Sequence, residues 1–174
     1  MKTHAKYIII AVVVILIVAT ALLLKNNIGI MERNLEKDAR FSHKIDESWQ
    51  MEQSTSKEMS AMIFYPDSCD DFTYSIYIRH PGLSFGYFFR AGGSGVEIEQ
   101  GVLELGVGNV NERAFLSMNL QKVSYLEIDD GNTIETIQID SSKPFAIVLP
   151  NNIGSVTLYN IDGNIVESIY SKLA

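Results

Sequence analysis

The feature that most restricts this chain is an uninterrupted apolar run, YIIIAVVVILIVATALLL, from Tyr7 to Leu24. It is 18 residues long, carries no charge, and only Thr20 falls outside the apolar set. At about 1.5 Å per residue such a helix is roughly 27 Å long, close to the hydrocarbon thickness of a bilayer. In lipid every backbone amide needs an internal partner, so even this β-branched run is driven into a helix. The sequence therefore predicts a single transmembrane helix over residues 7–24, with the bilayer as its partner. Lys2 and Lys6 precede the run and Lys25 follows it, whereas the flank beyond is mixed in sign (Glu32, Arg33, Glu36, Lys37, Asp38, Arg40). The positive-inside bias places residues 1–6 in the cytoplasm and the rest of the chain outside it. The alternative is a cleaved signal peptide, for which Ala19-Thr20-Ala21 offers a small-x-small site and the mature protein would be secreted after Ala21. Leu22-Leu23-Leu24 continue the run past that site and favour the anchor.

Residues 25–60 read as a polar, partly helical stalk. Met31, Leu35 and Ala39 are spaced by four, as are Phe41, Ile45 and Trp49, but the two stripes are out of phase. Two short helical pieces, or a helix leading into a strand, fit this better than a coiled coil, since no heptad persists. Residues 51–60 read as a connector. The plain role is a spacer; the sharper one is a partner-binding segment centred on Trp49.

After residue 60 the pattern changes to short alternating runs of Val, Ile, Tyr and Phe, broken by Pro, Gly, Asn and Asp. Strands are expected at 61–65, 72–79, 83–90, 96–99, 102–107, 113–118, 122–128, 133–139, 145–149, 156–160 and 165–169. No helical period of 10–15 residues separates them, so residues 61–174 are expected to form an all-β domain, an antiparallel sandwich or partly open barrel. Asp162-Gly163 suits a two-residue type I′ hairpin, and Asp129-Asp130-Gly131-Asn132 a longer one. A third hairpin, with His80-Pro81-Gly82-Leu83 as its loop, sets Arg79 opposite Ser84, Tyr77 opposite Gly86 and Ser75 opposite Phe88. Its core face then carries Phe72, Tyr74, Ile76, Ile78, Phe85, Tyr87 and Phe89. The other face leaves Tyr77, Arg79, Phe88 and Arg90 as an aromatic and cationic patch suited to a peptide or glycan.

Other constellations lead to duller readings. The chain has one cysteine, so it has neither a disulfide framework nor a multi-cysteine zinc site. Asp67, Asp70 and Asp71 surround Cys69, and Asn160, Asp162 and Asn164 alternate, but neither set supplies the later glutamate a calcium loop uses. Gly92-Gly93-Ser94-Gly95 and Gly106-Val107-Gly108 lack the helix and Lys-Ser/Thr pair of a phosphate loop. Cys69 with His80 is the one conceivable nucleophile pair, and a thiol packed as a small hydrophobe explains Cys69 as well. Fourteen acids follow residue 60 against six Lys/Arg, a net of −8 that repels nucleic acid. No cofactor or metal is called for.

Two anchored architectures offer an outline but no residues. Sortase-type transpeptidases also join an anchor to a β domain, yet their Thr-x-Thr-Cys strand is missing. Pilin-like subunits need a leader ending in glycine and an early glutamate in the apolar run, and both are missing. The expected function is a non-catalytic binding or scaffolding module at the cell envelope, with a protein or glycan partner. An envelope hydrolase working through acidic residues, and an accessory subunit of a membrane complex, are the alternatives.

Overall fold

The computed structural model describes the backbone of residues 2–24, 27–80, 82 and 84–173. In the first helix the side chains of residues 6, 7 and 10–21 are described. Lys25, and Pro81 and Leu83 of the expected third hairpin loop, lie outside the described residues.

The first helix, α1, runs Lys2–Leu24. Among the described residues no helix is long and apolar enough to cross a membrane. The unbroken described side chains of α1 cover residues 10–21, roughly 18 Å of helix. They are exposed and apolar on every side save Thr20, whose hydroxyl donates to the Leu16 carbonyl at 2.7 Å.

A 3₁₀ turn at Glu32–Asn34 leads into α2, Leu35–His43, which stops where Lys44 turns left-handed at φ 56°. Four strands follow: β1 (Gln50–Thr55), β2 (Met59–Tyr65), β3 (Thr73–Ile78) and β4 (Phe88–Gly93). They form one antiparallel sheet in chain order, sheet I. The single-turn helix α3 (Val96–Gln100) precedes β5 (Val102–Val107) and β6 (Glu112–Ser117). β7 (Val123–Asp129) and β8 (Ile134–Gln138) make a hairpin, followed by β9 (Phe145–Pro150), β10 (Ser155–Asn160), β11 (Ile165–Val166) and β12 (Ser168–Leu173). Sheet II is ordered β12-β5-β6-β9 and sheet III β11-β10-β7-β8. Among the described residues these strands pair antiparallel except β12 with β5, and the isolated bridge Ile28–Phe85 is parallel. The protein is mostly β, with antiparallel sheets.

The strand period of two distributes side chains between layers. Met59, Ala61, Ile63 and Tyr65 of β2 point from sheet I to meet Leu103, Leu105, Ala114 and Leu116 of sheet II. The alternate residues Met62 and Phe64 point the other way and are covered by Leu35 and Ala39 of α2. On the far side of sheet II, Val102, Phe115, Phe145 and Leu149 pack on Val123, Leu126, Leu158 and Val166 of sheet III. The expected two-sheet sandwich is thus a stack of α2 and three sheets. Sheet II is buried on both faces, which is why β5 and β6 read as near-continuous apolar runs.

Several expectations are corrected. Residues 51–60 form most of the β1–β2 hairpin of sheet I rather than a connector, since β1 pairs with β2 from Gln50 to Thr55. The stalk is not a free spacer: Leu35 and Ala39 are fully buried, and Ile45 and Trp49 pack against the same cluster. Trp49 is therefore half-buried within the chain. Residues 96–99 form the helical turn α3, in which Ile98 is buried and Val96 is exposed. An apolar-polar alternation over four residues fits one helical turn as well as a strand. The Asp162-Gly163 hairpin closes on three residues, because Tyr159 pairs with Ile165 and Asn160 N–H donates to the Asn164 carbonyl at 3.0 Å. Gly163, at φ 77°, supplies the left-handed position of that longer loop.

The third hairpin shows the largest difference. Tyr77 pairs with Phe89 and Ile78 with Phe88, three residues out of the expected register. The intervening segment pairs with the chain just after α1: Gly29 N–H donates to the Phe85 carbonyl at 2.6 Å and Ile30 N–H to the Tyr87 carbonyl at 2.7 Å. Phe85 N–H and Tyr87 N–H return bonds to Asn27 and Ile30. The backbones approach so closely that a Cβ on Gly29 would lie 2.4 Å from the Tyr87 oxygen, and one on Gly86 2.6 Å from the Ile30 oxygen. Gly86 also sits at φ 85°. It serves this contact, rather than lying opposite Tyr77.

Candidate functional site

An odd shift in register moves partners to opposite faces, and it takes the expected patch apart. Tyr77 is 0% exposed, under α2, with its hydroxyl donating to Asp38 Oδ2 at 2.7 Å. Burial and the neighbouring Asp38 carboxylate hold that phenol well above its ordinary pKa. Phe88, next to Ile78, belongs to the other face and stacks on His80 at 4.0 Å between ring centroids. Arg79 lies over the Tyr87 ring at 4.5 Å, and Arg90 is exposed at the bulge between the Ile76 and Tyr77 pairings. Phe89, not Phe88, meets Tyr77, edge-on at 5.6 Å. The four residues do not form one surface.

The Cys69 loop lines a cleft of about 410 Å³ with Asp70, Asp71, Phe72, Glu99 and Met118. Cys69 is exposed, at φ 53°. His80, its conceivable partner, is engaged with Phe88 and does not line the cleft. Among the described residues no group of three or more His, Cys, Asp or Glu is placed to hold a metal ion. Asn160 instead accepts from the Asp162 and Asn164 N–H groups at 3.0 and 2.9 Å, a local turn device.

The surface that gathers hydrogen-bonding and aromatic groups is the outer face of sheet III. Its inner side chains, Leu126 and Leu158 among them, enter the core, so the alternate residues face solvent. One row across the strands holds Ile165, Tyr159, Tyr125 and Gln138. The next holds Thr157, Glu127 and Thr136. Tyr125 and Tyr159 stack with centroids 4.8 Å apart and planes 13° from parallel. The rings therefore stand side by side with their faces against each other, and their edges and hydroxyls are what a partner meets. Desolvation among its neighbours and the nearby Glu127 carboxylate raise the Tyr159 phenol above its ordinary pKa. The two rows together offer phenol donors, a carboxylate and a side-chain amide, the chemistry that recognises hydroxyl-rich or extended polar ligands. Both tyrosines lie in segments expected as strands. Their partnership depends on the β7–β10 pairing, which sets Tyr159 beside Tyr125 from 34 positions away.

No family model matches the chain, and no curated protein or solved structure matches it.

Proposed function

We propose that the chain is a single-pass membrane protein, N-terminus in the cytoplasm, whose acidic β domain stands outside as a non-catalytic binding or scaffolding module at the cell envelope. The observation that carries the reading is the run Tyr7–Leu24. The described side chains of residues 10–21 are exposed and, Thr20 apart, apolar all round. Leaving that surface in water costs about 25 cal/mol per Å², and a bilayer removes the cost. The Leu16 acceptor satisfies the Thr20 hydroxyl within α1 and makes it compatible with lipid.

The binding role is supported by the tyrosine row of sheet III, which no other layer of the stack covers. The test has two readings. The full chain should stay in the membrane pellet through alkaline carbonate extraction, with a protease added outside removing the domain. Recovery in the supernatant, or a mature N-terminus at Leu22, would overturn the anchor. Tyr125→Ala with Tyr159→Ala should release the domain from isolated envelope fragments while leaving membrane retention unchanged. Unaltered binding would overturn the role of that face.

A further inference from the structure

The outward side of α2 carries a pattern that neither the core nor the sheet III face uses. Leu35 and Ala39 face sheet I and are completely buried. Lys37 and Phe41 occupy the opposite pole, flanked by Arg33 in the preceding 3₁₀ turn and by Lys44 at the left-handed end of the helix, and all four are exposed. Phe41 is 86% exposed, the highest value among the large apolar side chains described. An exposed phenylalanine flanked by long basic side chains can enter a headgroup boundary while the cations stay on its surface. An open cleft of about 1200 Å³ runs along this pole, where the cations Arg33, Lys37, Arg40 and Lys44 share the lining with the acids Glu36, Asp46 and Glu47.

Of the acidic side chains nearby, Glu36 is ion-paired to Arg40 at 2.8 Å, while Asp38 and Asp46 keep their charge and accept from the neutral Tyr77 hydroxyl and Ser48 N–H. Glu32 and Glu47 remain beside the stripe. Residues 61–174, by contrast, carry a net −8. Residues 31–47 carry four Lys/Arg against five acids, a net of −1, so an anionic surface repels this side less than it repels the β domain.

Chain length says which surface lies within reach. Asn27 to Ile30 are fixed to residues 85–87 by backbone hydrogen bonds. Three Cα–Cα steps, about 11 Å, are the most that can separate Leu24 from Asn27, and four more, about 15 Å, reach Met31 at the entrance to α2. If Leu24 ends a membrane span, the start of α2 lies within about 26 Å of the end of that span and can reach its headgroups. Tethering makes even weak docking effective, because the contact is intramolecular in character.

We infer that the Arg33–Lys37–Phe41–Lys44 pole of α2 docks on anionic lipid headgroups of the bilayer that anchors α1, with the Phe41 ring inserted at the interface. The inference rests on the membrane anchor proposed above. The test uses the full chain with Trp49→Phe and Phe41→Trp, which leaves a single tryptophan at position 41. It is reconstituted in vesicles of phosphatidylcholine alone or with about 30% phosphatidylserine, with and without brominated acyl chains. Bromine quenching at position 41 should be at least twofold stronger in the anionic vesicles, and Lys37→Glu with Lys44→Glu should abolish the difference. Protein that floats with the vesicles but shows no charge-dependent quenching overturns the docking and leaves the anchor standing. Protein that fails to float overturns both. A shift that follows protein density rather than lipid charge assigns the pole to a second copy of the chain and also overturns the docking. Should the tryptophan exchange unsettle the fold, hydrogen exchange of residues 36–43 in the unsubstituted chain reads the same contact. It should be slower in the anionic vesicles, and equal rates overturn the docking.

Discussion

The Tyr77 hydroxyl and the Asp38 carboxylate, 2.7 Å apart, join the outer face of sheet I to α2. Asp38 lies between Leu35 and Ala39, the two residues that bury the helix, so this bond sits beside the apolar part of the seam. Tyr77→Phe keeps the ring contacts and removes the donor. We expect a loss of about 1–3 kcal/mol, because the acceptor is charged and half-buried. Urea denaturation of the variant checks it, and an unchanged midpoint would mean the bond contributes nothing.

Gly29 and Gly86 face each other across a contact that leaves no room for a methyl group. Alanine at either position should cost about 1–3 kcal/mol of local stability and release residues 27–30 from 85–87. Because both substitutions break the same pairing, the double variant should lose little more than either single one. Amide exchange at Gly29, Ile30 and Tyr87 reports the release. Strictly additive effects would show that the two glycines act separately.

Asn119 is buried at φ 58° and ties three segments together. Its side-chain amide donates to the carbonyls of Val123, Asp140 and Lys143, each at 3.2 Å, and its oxygen accepts from Val123 N–H at 2.7 Å. Asn119→Ala should destabilise by about 3 kcal/mol, since it strands several buried partners. Asn119→Gly should recover roughly 1 kcal/mol of that by relieving the left-handed backbone. Thermal denaturation of the pair separates the two contributions.

Tyr65 is buried, and that burial, with the Glu52 carboxylate beside it, pushes its phenol up to about 12 from an ordinary 10. The folded protein holds this proton more tightly than the unfolded chain does. The resulting stabilisation is complete below pH 10 and is lost as the pH rises toward 12. Lys143, raised by its bond to Glu52, acts in the same direction. The urea midpoint should therefore fall across this window, and the fall should be shallower in Tyr65→Phe. Parallel pH profiles for the two proteins would refute the assignment.

Strand positions were legible where both faces carry large residues. β5 was expected at its observed bounds, and β6, β7, β9 and β10 within about one residue. β1 escaped because Gln50–Thr55 is polar, and its extended form is imposed by β2 rather than by its own side chains. α3 was mistaken for a strand because four residues cannot separate the two periods. The Tyr77, Arg79, Phe88, Arg90 patch depended on a register and on an uncovered face. The first was displaced by residues 28–30, more than fifty positions upstream of their partners, and the second was taken by α2. Local pattern carries no information about either event. The tyrosine row of sheet III was hidden for the same reason: its strands were legible, but their adjacency was not.

The parallel seat of β12 beside β5 has a kinetic consequence. Residues 102–107 wait for residues 168–173, and the loop that must close between them encloses β6 through β11. Loop closure over such a separation is among the slowest steps of assembly. Until it occurs, β5 presents an unpaired edge in the middle of the stack. The hairpins can form early, but the central layer closes only with the last strand. Truncation within residues 168–173 should therefore favour misassembly over a merely weakened fold.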